Sequence, residues 1–299
     1  MKEVKKINRV SKITVAALCA AFAVLNMGPL VGQAVKADEA ATANDTFYCA
    51  DGDDDFIYGG PGEIADATYE IEHDYYEIVE DVGYYSAPSF GNLDGSMTNT
   101  CAPAAGTNVV AFYDRWYENL IPNYTPGIPF EQGYYYYMDM AKPETTNVLK
   151  TLYELMDTNV GSGGTSESQF LNGLSEYVDN AGYDLSYTSF YEDTKTVDLD
   201  ALKDAIDQNK VGVVFCSRYN FVYGIGHEAD KTIVAKENAN VGHMMMVYGY
   251  QTIAYYKDDI NFRTDTFLHV SSGYSGADQG YLELNSYLNI EDALIMTIS

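Results

Sequence analysis

One cysteine stands at the start of a helical segment, where nucleophilic chemistry is favoured. Cys101 lies within TNTCAPAAGTNVVAFYDRW (98–116), and Pro103, two residues later, is typical of a first helical turn. Apolar side chains then recur at helical spacing at Val109, Phe112, Trp116 and Leu120. Backbone N–H groups at a helix N-terminus stabilise negative charge, which favours a thiolate there. The alternative is a small buried cysteine that only packs.

A thiolate nucleophile also needs a general base, usually a histidine that the fold brings from elsewhere in the chain. The four histidines are His73, His227, His243 and His269. His243 opens the apolar run GHMMMVYGY directly after a glycine, so it would stand at the mouth of a strand and reach across a cleft. We therefore expect His243 beside an exposed Cys101 thiol, whose pKa would lie below the free value of about 8.5.

Helical patterns occupy the middle of the chain. Helices are predicted over 144–157 and 166–180, the second with Ser166 and Gln169 as a capping box. A third helix runs through DLDALKDAIDQN and ends at Asn209, because asparagine tolerates the left-handed conformation of a helix C-terminus.

Strand patterns begin near Tyr69 and dominate the last third of the chain. The apolar strand VGVVFCS, which contains Cys216, directly follows the third predicted helix. Further strands are predicted in GHMMMVYGYQTIAYY, DTFLHVSSGY, GYLELN and ALIMTIS. Helices followed by an antiparallel set of strands indicate an α+β fold.

The first 37 residues have the layout of a secretory signal peptide. A basic segment precedes the apolar run ITVAALCAAFAVLNMGPLVG, and AVKA offers small residues before Asp38. Asn26, Gly28 and Pro29 interrupt the apolar run, which argues against a permanent transmembrane anchor. We expect a secreted, extracellular protein of residues 38–299, with no stable membrane anchor after cleavage.

The exported chain would be strongly acidic. The full sequence has 17 basic and 44 acidic residues, and removal of the first 37 residues, with six basic and one acidic, leaves a net charge of −32 over 262 residues. Such a charge repels nucleic acid and anionic membranes, so neither is an expected partner.

No metal or cofactor site is predicted. Asp51, Asp53 and Asp55 alternate as in a calcium-binding loop, but Phe56 and Gly62 occupy the positions that need glycine and glutamate. The four histidines are too scattered along the chain for the ligand spacing of a zinc site.

The acidic segment 38–68 has no apolar period, so we place the folded domain at 69–299. The segment is either an inhibitory propeptide or a disordered spacer. The exported chain keeps Cys49, Cys101 and Cys216, and an odd number of cysteines leaves at least one free thiol or a link between chains.

Four segments in this order resemble the papain-like cysteine peptidases, in the branch of the bacteriocin-processing peptidases. They are the Cys101 helix beginning CAPAAGTNVVAFYDR, the helix–strand LKDAIDQNKVGVVF, the strand GHMMMVYGY, and TFLHVSSGYSGADQGYLELN. The resemblance covers 69–299 and implies a papain-like fold, in which the nucleophile helix packs on an antiparallel sheet. It also implies that Cys101 is the nucleophile and His243 the base in the hydrolysis of a peptide or protein substrate, without a cofactor.

The sequence departs from that family at three positions. Ala102 follows the cysteine where glycine is usual. Gly95 stands where the family carries an oxyanion-hole glutamine, and either Ser96 or Asn99 would replace it; we prefer Asn99. The third triad position, normally Asn or Asp, aligns with Ser271, which can hydrogen-bond the histidine but brings no charge to stabilise an imidazolium. We expect either the Ser271 hydroxyl or a nearby carbonyl to hold the imidazole.

These departures leave two other functions open. A catalytically weak or inactive binding protein or adhesin would keep the peptidase fold and lose cleavage. A cell-wall endopeptidase would keep the Cys–His chemistry, although a strongly acidic protein is poorly matched to an anionic wall.

Overall fold

The computed structural model describes residues 57–58, 68–74, 77–84, 87–124, 128–130, 133–135, 143–161, 163–191, 197–228, 231–274, 279–285 and 288–299. The signal peptide, Cys49 and nearly all of the acidic segment 38–68 lie outside the described residues. The predicted cleavage site, the role of the acidic segment and the domain boundary therefore stay predictions.

The elements are labelled here in chain order. The helices are α1 (Cys101–Asp114), α2 (Pro143–Leu155), α3 (Glu167–Asn180) and α4 (Leu199–Asp207). The strands are β1 (Ile57–Tyr58), β2 (Thr68–Asp74), β3 (Glu77–Tyr84), β4 (Ile128–Phe130), β5 (Gly133–Tyr135), β6 (Thr165–Ser166), β7 (Leu185–Ser189), β8 (Val211–Glu228), β9 (Lys231–Ala239), β10 (His243–Lys257), β11 (Ile260–Ser271), β12 (Gln279–Glu283) and β13 (Asn289–Ile298).

Local signals in the sequence set the helix ends. The Ser166 side chain accepts the Gln169 backbone N–H, and the Gln169 side chain accepts the Ser166 N–H, so the predicted capping box of α3 is confirmed. After α4 the chain turns at Asn209, whose φ of +59° is the left-handed conformation predicted there. The predicted α2 is confirmed and begins at Pro143, a residue suited to a first helical turn.

A nine-stranded antiparallel sheet organises the domain. Its main path runs β2–β9–β8–β12–β11–β10–β3. Off this path, β13 pairs with the first half of β8, and β7 pairs with β13. The long strand β8 also pairs with β10, from His243 opposite Cys216 to Val247 opposite Gly212. Because β8 pairs with both β12 and β10, the four strands β8, β12, β11 and β10 form a closed ring of pairings.

Both faces of the sheet are buried where β10 begins. Met244 and Met246 belong to the core cluster that contains the residues of α1, whereas Met245 and Val247 belong to the cluster that contains those of α4. Alternate residues of a strand point to opposite faces, so a strand covered on both sides needs an uninterrupted apolar run. This explains the sequence MMMV directly after His243.

The helix that begins at Cys101 is enclosed along its whole length. All 14 residues of α1 are buried. At Gly106, a Cβ atom would lie 3.0 Å from the Met156 side chain and 3.1 Å from that of Leu152, so a larger residue there would require both side chains to shift by a few tenths of an ångström. The predicted buried helix is confirmed, and the protein is of the α+β class.

None of the described helices is long and apolar enough to cross a membrane.

Candidate functional site

The Cys101 thiol lies at the backbone N–H groups that begin α1. The N-cap residue Thr100 makes no side-chain hydrogen bond to the helix, and Pro103 has no N–H to satisfy. The Thr100 side chain therefore caps neither the Cys101 N–H nor the Ala102 N–H. Both are directed to the thiol, where they favour its ionised form and lower its pKa.

A single peptide group of β10 lies between two thiols. The Met244 N–H is also directed to the Cys101 sulfur. On the other side of the same peptide, the Cys216 thiol donates to the His243 carbonyl oxygen, with 3.6 Å between sulfur and oxygen. The fold thus brings Cys101 to the peptide that joins His243 to Met244, although 141 residues separate Cys101 from His243 in the sequence.

The His243 imidazole has one anchored and one available nitrogen. Nε2 lies 2.6 Å from the Ser272 carbonyl oxygen. A carbonyl oxygen can only accept a hydrogen bond, so Nε2 carries the proton in the neutral ring and Nδ1 carries the lone pair. Nδ1 is buried and has no hydrogen-bond partner among the described residues, the Cys101 sulfur included. The ring is therefore held in the tautomer that can accept a proton at Nδ1. The expected hydrogen bond between His243 and the Cys101 thiol is not made in this arrangement.

Aromatic rings hold the imidazole in place. The Tyr274 ring stacks on it, with centroids 4.5 Å apart and an interplanar angle of 11°, and the Tyr219 ring stacks at 5.7 Å. The two tyrosine hydroxyls contact each other. Tyr274 reaches this position through a turn at Gly273, whose φ of +75° favours glycine.

Burial keeps both reactive groups neutral. The Cys101 side chain is 1% exposed, and desolvation raises the pKa of its thiol to about 12 despite the three N–H groups. His243 is 0% exposed, and desolvation lowers the pKa of its imidazole to about 4. The expectation of an exposed thiol with a depressed pKa is therefore wrong for this arrangement, because the cost of desolvation exceeds the stabilisation by the helix N-terminus.

The Ser271 side chain does not contact His243. Its hydroxyl donates to the Pro88 carbonyl oxygen at 2.6 Å and is fully buried. The neighbouring backbone carbonyl of Ser272 accepts the hydrogen bond from His243 instead. Of the two groups expected to hold the imidazole, the Ser271 hydroxyl and a nearby carbonyl, the structure places the carbonyl there.

Asn99 lies two residues before the thiol, with its amide engaged elsewhere. Its Nδ2 donates to Asn159 Oδ1 at 2.5 Å, and its φ is +56°. Its predicted role at an oxyanion stays a prediction.

The other histidines take different positions. His269 lies in β11, where its ring contacts those of Tyr248 and Tyr281, and burial lowers its pKa to about 4. The backbone of His227 lies near the far end of β8 and that of His73 in β2; the side chains of both lie outside the described residues. Among the described residues no group of three His, Cys, Asp or Glu side chains could hold a metal ion.

Sequence reasoning missed the Met244 N–H and the tyrosine rings of this site. The Met244 N–H belongs to a peptide unit, whose role no side-chain pattern indicates. Tyr274 was not singled out, although it lies only two residues after Ser272 and its ring stacks on the imidazole.

Comparison with known proteins adds no identification. No protein-family model, no curated protein and no solved structure matches the chain. The resemblance to papain-like peptidases therefore stays a prediction from the sequence.

Proposed function

We propose that the protein is a secreted cysteine peptidase of papain-like architecture, with Cys101 as nucleophile and His243 as base. The proposal rests on the α+β arrangement of α1 against β10 and on the chemistry at their contact. Its substrate would be a peptide or protein, as the resemblance to papain-like peptidases implies, and the thiol acyl transfer would need no group beyond water.

The observation that carries the proposal is the orientation of His243. The Ser272 carbonyl fixes the proton on Nε2, which leaves a basic lone pair on Nδ1. A histidine that only packs usually satisfies both nitrogens when it is buried, since an unsatisfied buried polar atom costs about 1–3 kcal/mol. Nε2 of His269 is likewise buried and has no hydrogen-bond partner among the described residues. His243 differs from His269 in its position, because the N–H of the next residue, Met244, is directed to the Cys101 thiol.

The proposed reaction has two steps. Once an opening of the site has brought the two side chains together, Nδ1 of His243 takes the thiol proton and the thiolate attacks the substrate carbonyl carbon. The imidazolium then returns the proton to the leaving amine as the C–N bond breaks. Water next loses a proton to Nδ1 and attacks the thioester carbonyl carbon; as the C–S bond breaks, the imidazolium returns this proton to the sulfur, which releases the acid and the free thiol. The Cys101 N–H at the start of α1 supplies a donor for the oxyanion in both steps.

The burial of the site adds a requirement for opening. A substrate carbonyl must reach the sulfur, yet Cys101, His243 and Ser272 are all buried. The proposed cycle therefore includes a movement of the surrounding segments that admits the substrate and exposes the thiol. Exposure would also return the thiol pKa towards its free value, because desolvation is the largest cause of its rise.

A non-catalytic binding protein is the second candidate, and the same burial favours it. The neutral thiol and neutral imidazole of the closed site resemble core residues, and the partner of His243 is a carbonyl and not a carboxylate. Loss of catalysis would then have left the fold intact for another use.

Hydrolysis of an unstructured protein separates the two candidates. We expect the purified protein to degrade casein at neutral pH, and both Cys101→Ala and His243→Ala to abolish this activity. Cys216→Ala is the matched control for the thiol, since it removes the other buried cysteine from the same peptide group. His269→Ala is the matched control for the imidazole, because it removes a second buried histidine of similarly lowered pKa.

The outcomes are distinct. Retention of activity in the two controls and its loss in the two site variants would support the peptidase. Equal rates for the wild type and Cys101→Ala would contradict it and leave the binding protein as the better proposal.

A further inference from the structure

The loop between α2 and α3 contacts the residues that lead into the proposed nucleophile. Asn159 Nδ2 donates to the Thr98 carbonyl oxygen at 3.1 Å and lies 3.4 Å from the Thr98 hydroxyl. Its Oδ1 accepts from Asn99 Nδ2 at 2.5 Å. One side chain therefore contacts both residues before Thr100, from a position 60 residues further along the chain.

Asn159 is itself held in place. Its Nδ2 also contacts the Tyr153 hydroxyl at 2.6 Å, and its backbone N–H donates to the Gly164 carbonyl at 2.8 Å. The hydroxyls of Thr158 and Thr165 meet at 2.8 Å inside the same loop, where both residues are buried. The loop is thus closed on itself, and its far end carries the capping box of α3. Asn159 projects from a supported loop and not from a free one.

The start of α1 depends on such outside support. Thr100 supplies no side-chain cap, and Asn99 adopts a left-handed φ of +56°, a conformation that asparagine tolerates but does not prefer when its backbone is free. The surroundings must therefore select it. The Asn159 hydrogen bonds are among the contacts that hold the Thr98–Asn99 segment beside the Cys101 N–H.

We infer that Asn159 is a positioning residue that holds the entry to α1, so that the Cys101 thiol and the adjacent N–H groups keep the geometry needed for acyl transfer. This inference rests on the proposed function. Asn159 touches neither the sulfur nor His243, and it acts through Thr98 and Asn99.

Asn159→Gly tests this role without adding strain. The φ of Asn159 is +67°, which glycine adopts freely, so the substitution removes the side-chain hydrogen bonds and keeps the backbone. Asn123→Gly is the matched control, since Asn123 has the same φ of +67° in an exposed turn after α1. We expect Asn159→Gly to lower kcat for casein-derived peptides about tenfold with little change in KM, as misplaced reacting groups do. Asn159→Asp keeps the acceptor for Asn99 and loses the donor to Thr98. Its kcat should therefore lie between those of the wild type and of Asn159→Gly.

Amide hydrogen exchange supplies a readout independent of turnover. In Asn159→Gly the amides of 98–102 should exchange faster while those of β10 and β13 keep their protection, and Asn123→Gly should change neither. An unchanged kcat and unchanged exchange in Asn159→Gly, in a protein whose activity Cys101→Ala abolishes, would overturn the inference and leave the peptidase proposal standing. If Cys101→Ala hydrolyses peptides like the wild type, the peptidase proposal fails and the positioning role falls with it, whatever the exchange shows.

Discussion

Two adjacent serines at the end of β11 have different structural roles. The Ser271 side chain fastens β11 to the segment at Pro88, whereas the Ser272 backbone carbonyl orients His243. The Ser272 hydroxyl accepts the Tyr274 backbone N–H at 3.0 Å and so supports the turn that places Tyr274 on the imidazole. Because the group that accepts the His243 hydrogen bond is a main-chain carbonyl, substitution of either serine side chain should affect this bond less than a change in the backbone conformation at Ser272.

Substitution of Ser271 should lower stability more than it changes chemistry. Ser271→Ala leaves the buried Pro88 carbonyl without its donor, which should cost about 1–3 kcal/mol of unfolding free energy in urea titration. Ser271→Asn inserts a larger side chain at a fully buried position and should cost a similar amount, with no gain in turnover.

Ser186→Ala is the control for this prediction, since Ser186 is an exposed serine of β7. Its unfolding free energy should lie within about 0.5 kcal/mol of the wild-type value. A Ser271→Asn variant with raised kcat would show instead that the side chain at 271 does reach the imidazole during turnover.

The roles of single residues could be predicted from the sequence where a local spacing pattern determines them. Cys101 follows from the helix-start pattern, and the capping role of Ser166 follows from its spacing to Gln169. The prediction for the Ser271 side chain was wrong because its hydroxyl donates to the Pro88 carbonyl, and the hydrogen bond from His243 goes to the backbone carbonyl of Ser272. The prediction of a lowered thiol pKa was wrong for another reason. The burial of Cys101 depends on how distant elements pack around it, and the spacing of nearby residues does not reveal that packing.

The helix α1 carries a buried titratable group at each end. Asp114 closes its last turn, and Oδ1 accepts the Ile121 N–H at 2.7 Å, which holds the following turn against the helix. Oδ2 is buried with no hydrogen-bond partner among the described residues. Desolvation, with repulsion from Glu118, raises the pKa of this carboxyl to about 7, although the Ile121 bond opposes the rise.

The raised pKa of Asp114 predicts a stability that falls as pH rises. Below about pH 4 the carboxyl is protonated in both states, and between about pH 4 and 7 only the folded state keeps the proton, so unfolding is progressively favoured in this window. Asp114→Asn keeps an oxygen for Ile121 and removes the charge, so it should gain on the order of a few kcal/mol over wild type at pH 8 and little at pH 4. Urea titrations from pH 4 to 8 measure the difference.

Buried histidines act in the opposite direction and must be separated from this effect. The pKa values of His243 and His269 are lowered to about 4, so their contribution is lost as pH falls from about 6.5 to 4. Both histidines are present in the wild type and in Asp114→Asn, so their contribution to the pH dependence cancels when the two unfolding free energies are subtracted. Asp179→Asn, an exposed change at the end of α3, is the control; an identical pH dependence in Asp114→Asn and wild type would contradict the assignment.

Elements were predicted best where one local rule was sufficient. The three predicted helices α2, α3 and α4 and the run from β10 to β13 are present, since their periodicity and caps are local. The ring of β8, β12, β11 and β10 was not predicted, because the double pairing of β8 joins residues far apart in the sequence. That ring brings His243 opposite Cys216 and carries the adjoining Met244 N–H to the start of α1.

At the scale of the whole molecule, the candidate chemistry is enclosed between two core clusters. Cys101 belongs to the cluster on the α1 face, whereas Cys216 and Tyr274 belong to the cluster on the α4 face. A reagent can reach a buried thiol by a local opening or by unfolding of the whole domain. A peptidase requires the first route at Cys101, and a core cysteine such as Cys216 has only the second.

Alkylation of the native protein in graded urea therefore distinguishes an enzyme from a closed scaffold. Iodoacetamide reacts with the thiolate, and in the opened state each thiol ionises near its free pKa of about 8.5, so a comparison at one pH reports the frequency of opening. We expect Cys101 to react faster than Cys216 without urea, at a rate nearly independent of urea below the unfolding transition. The Cys216 rate should rise with the full urea dependence of global unfolding, because that dependence scales with the surface exposed. Cys216→Ala and Cys101→Ala variants assign each rate to its thiol by mass spectrometry. If both thiols show the steep dependence, the site opens only when the domain unfolds, no substrate can enter the folded protein, and the binding protein becomes the better account of the fold.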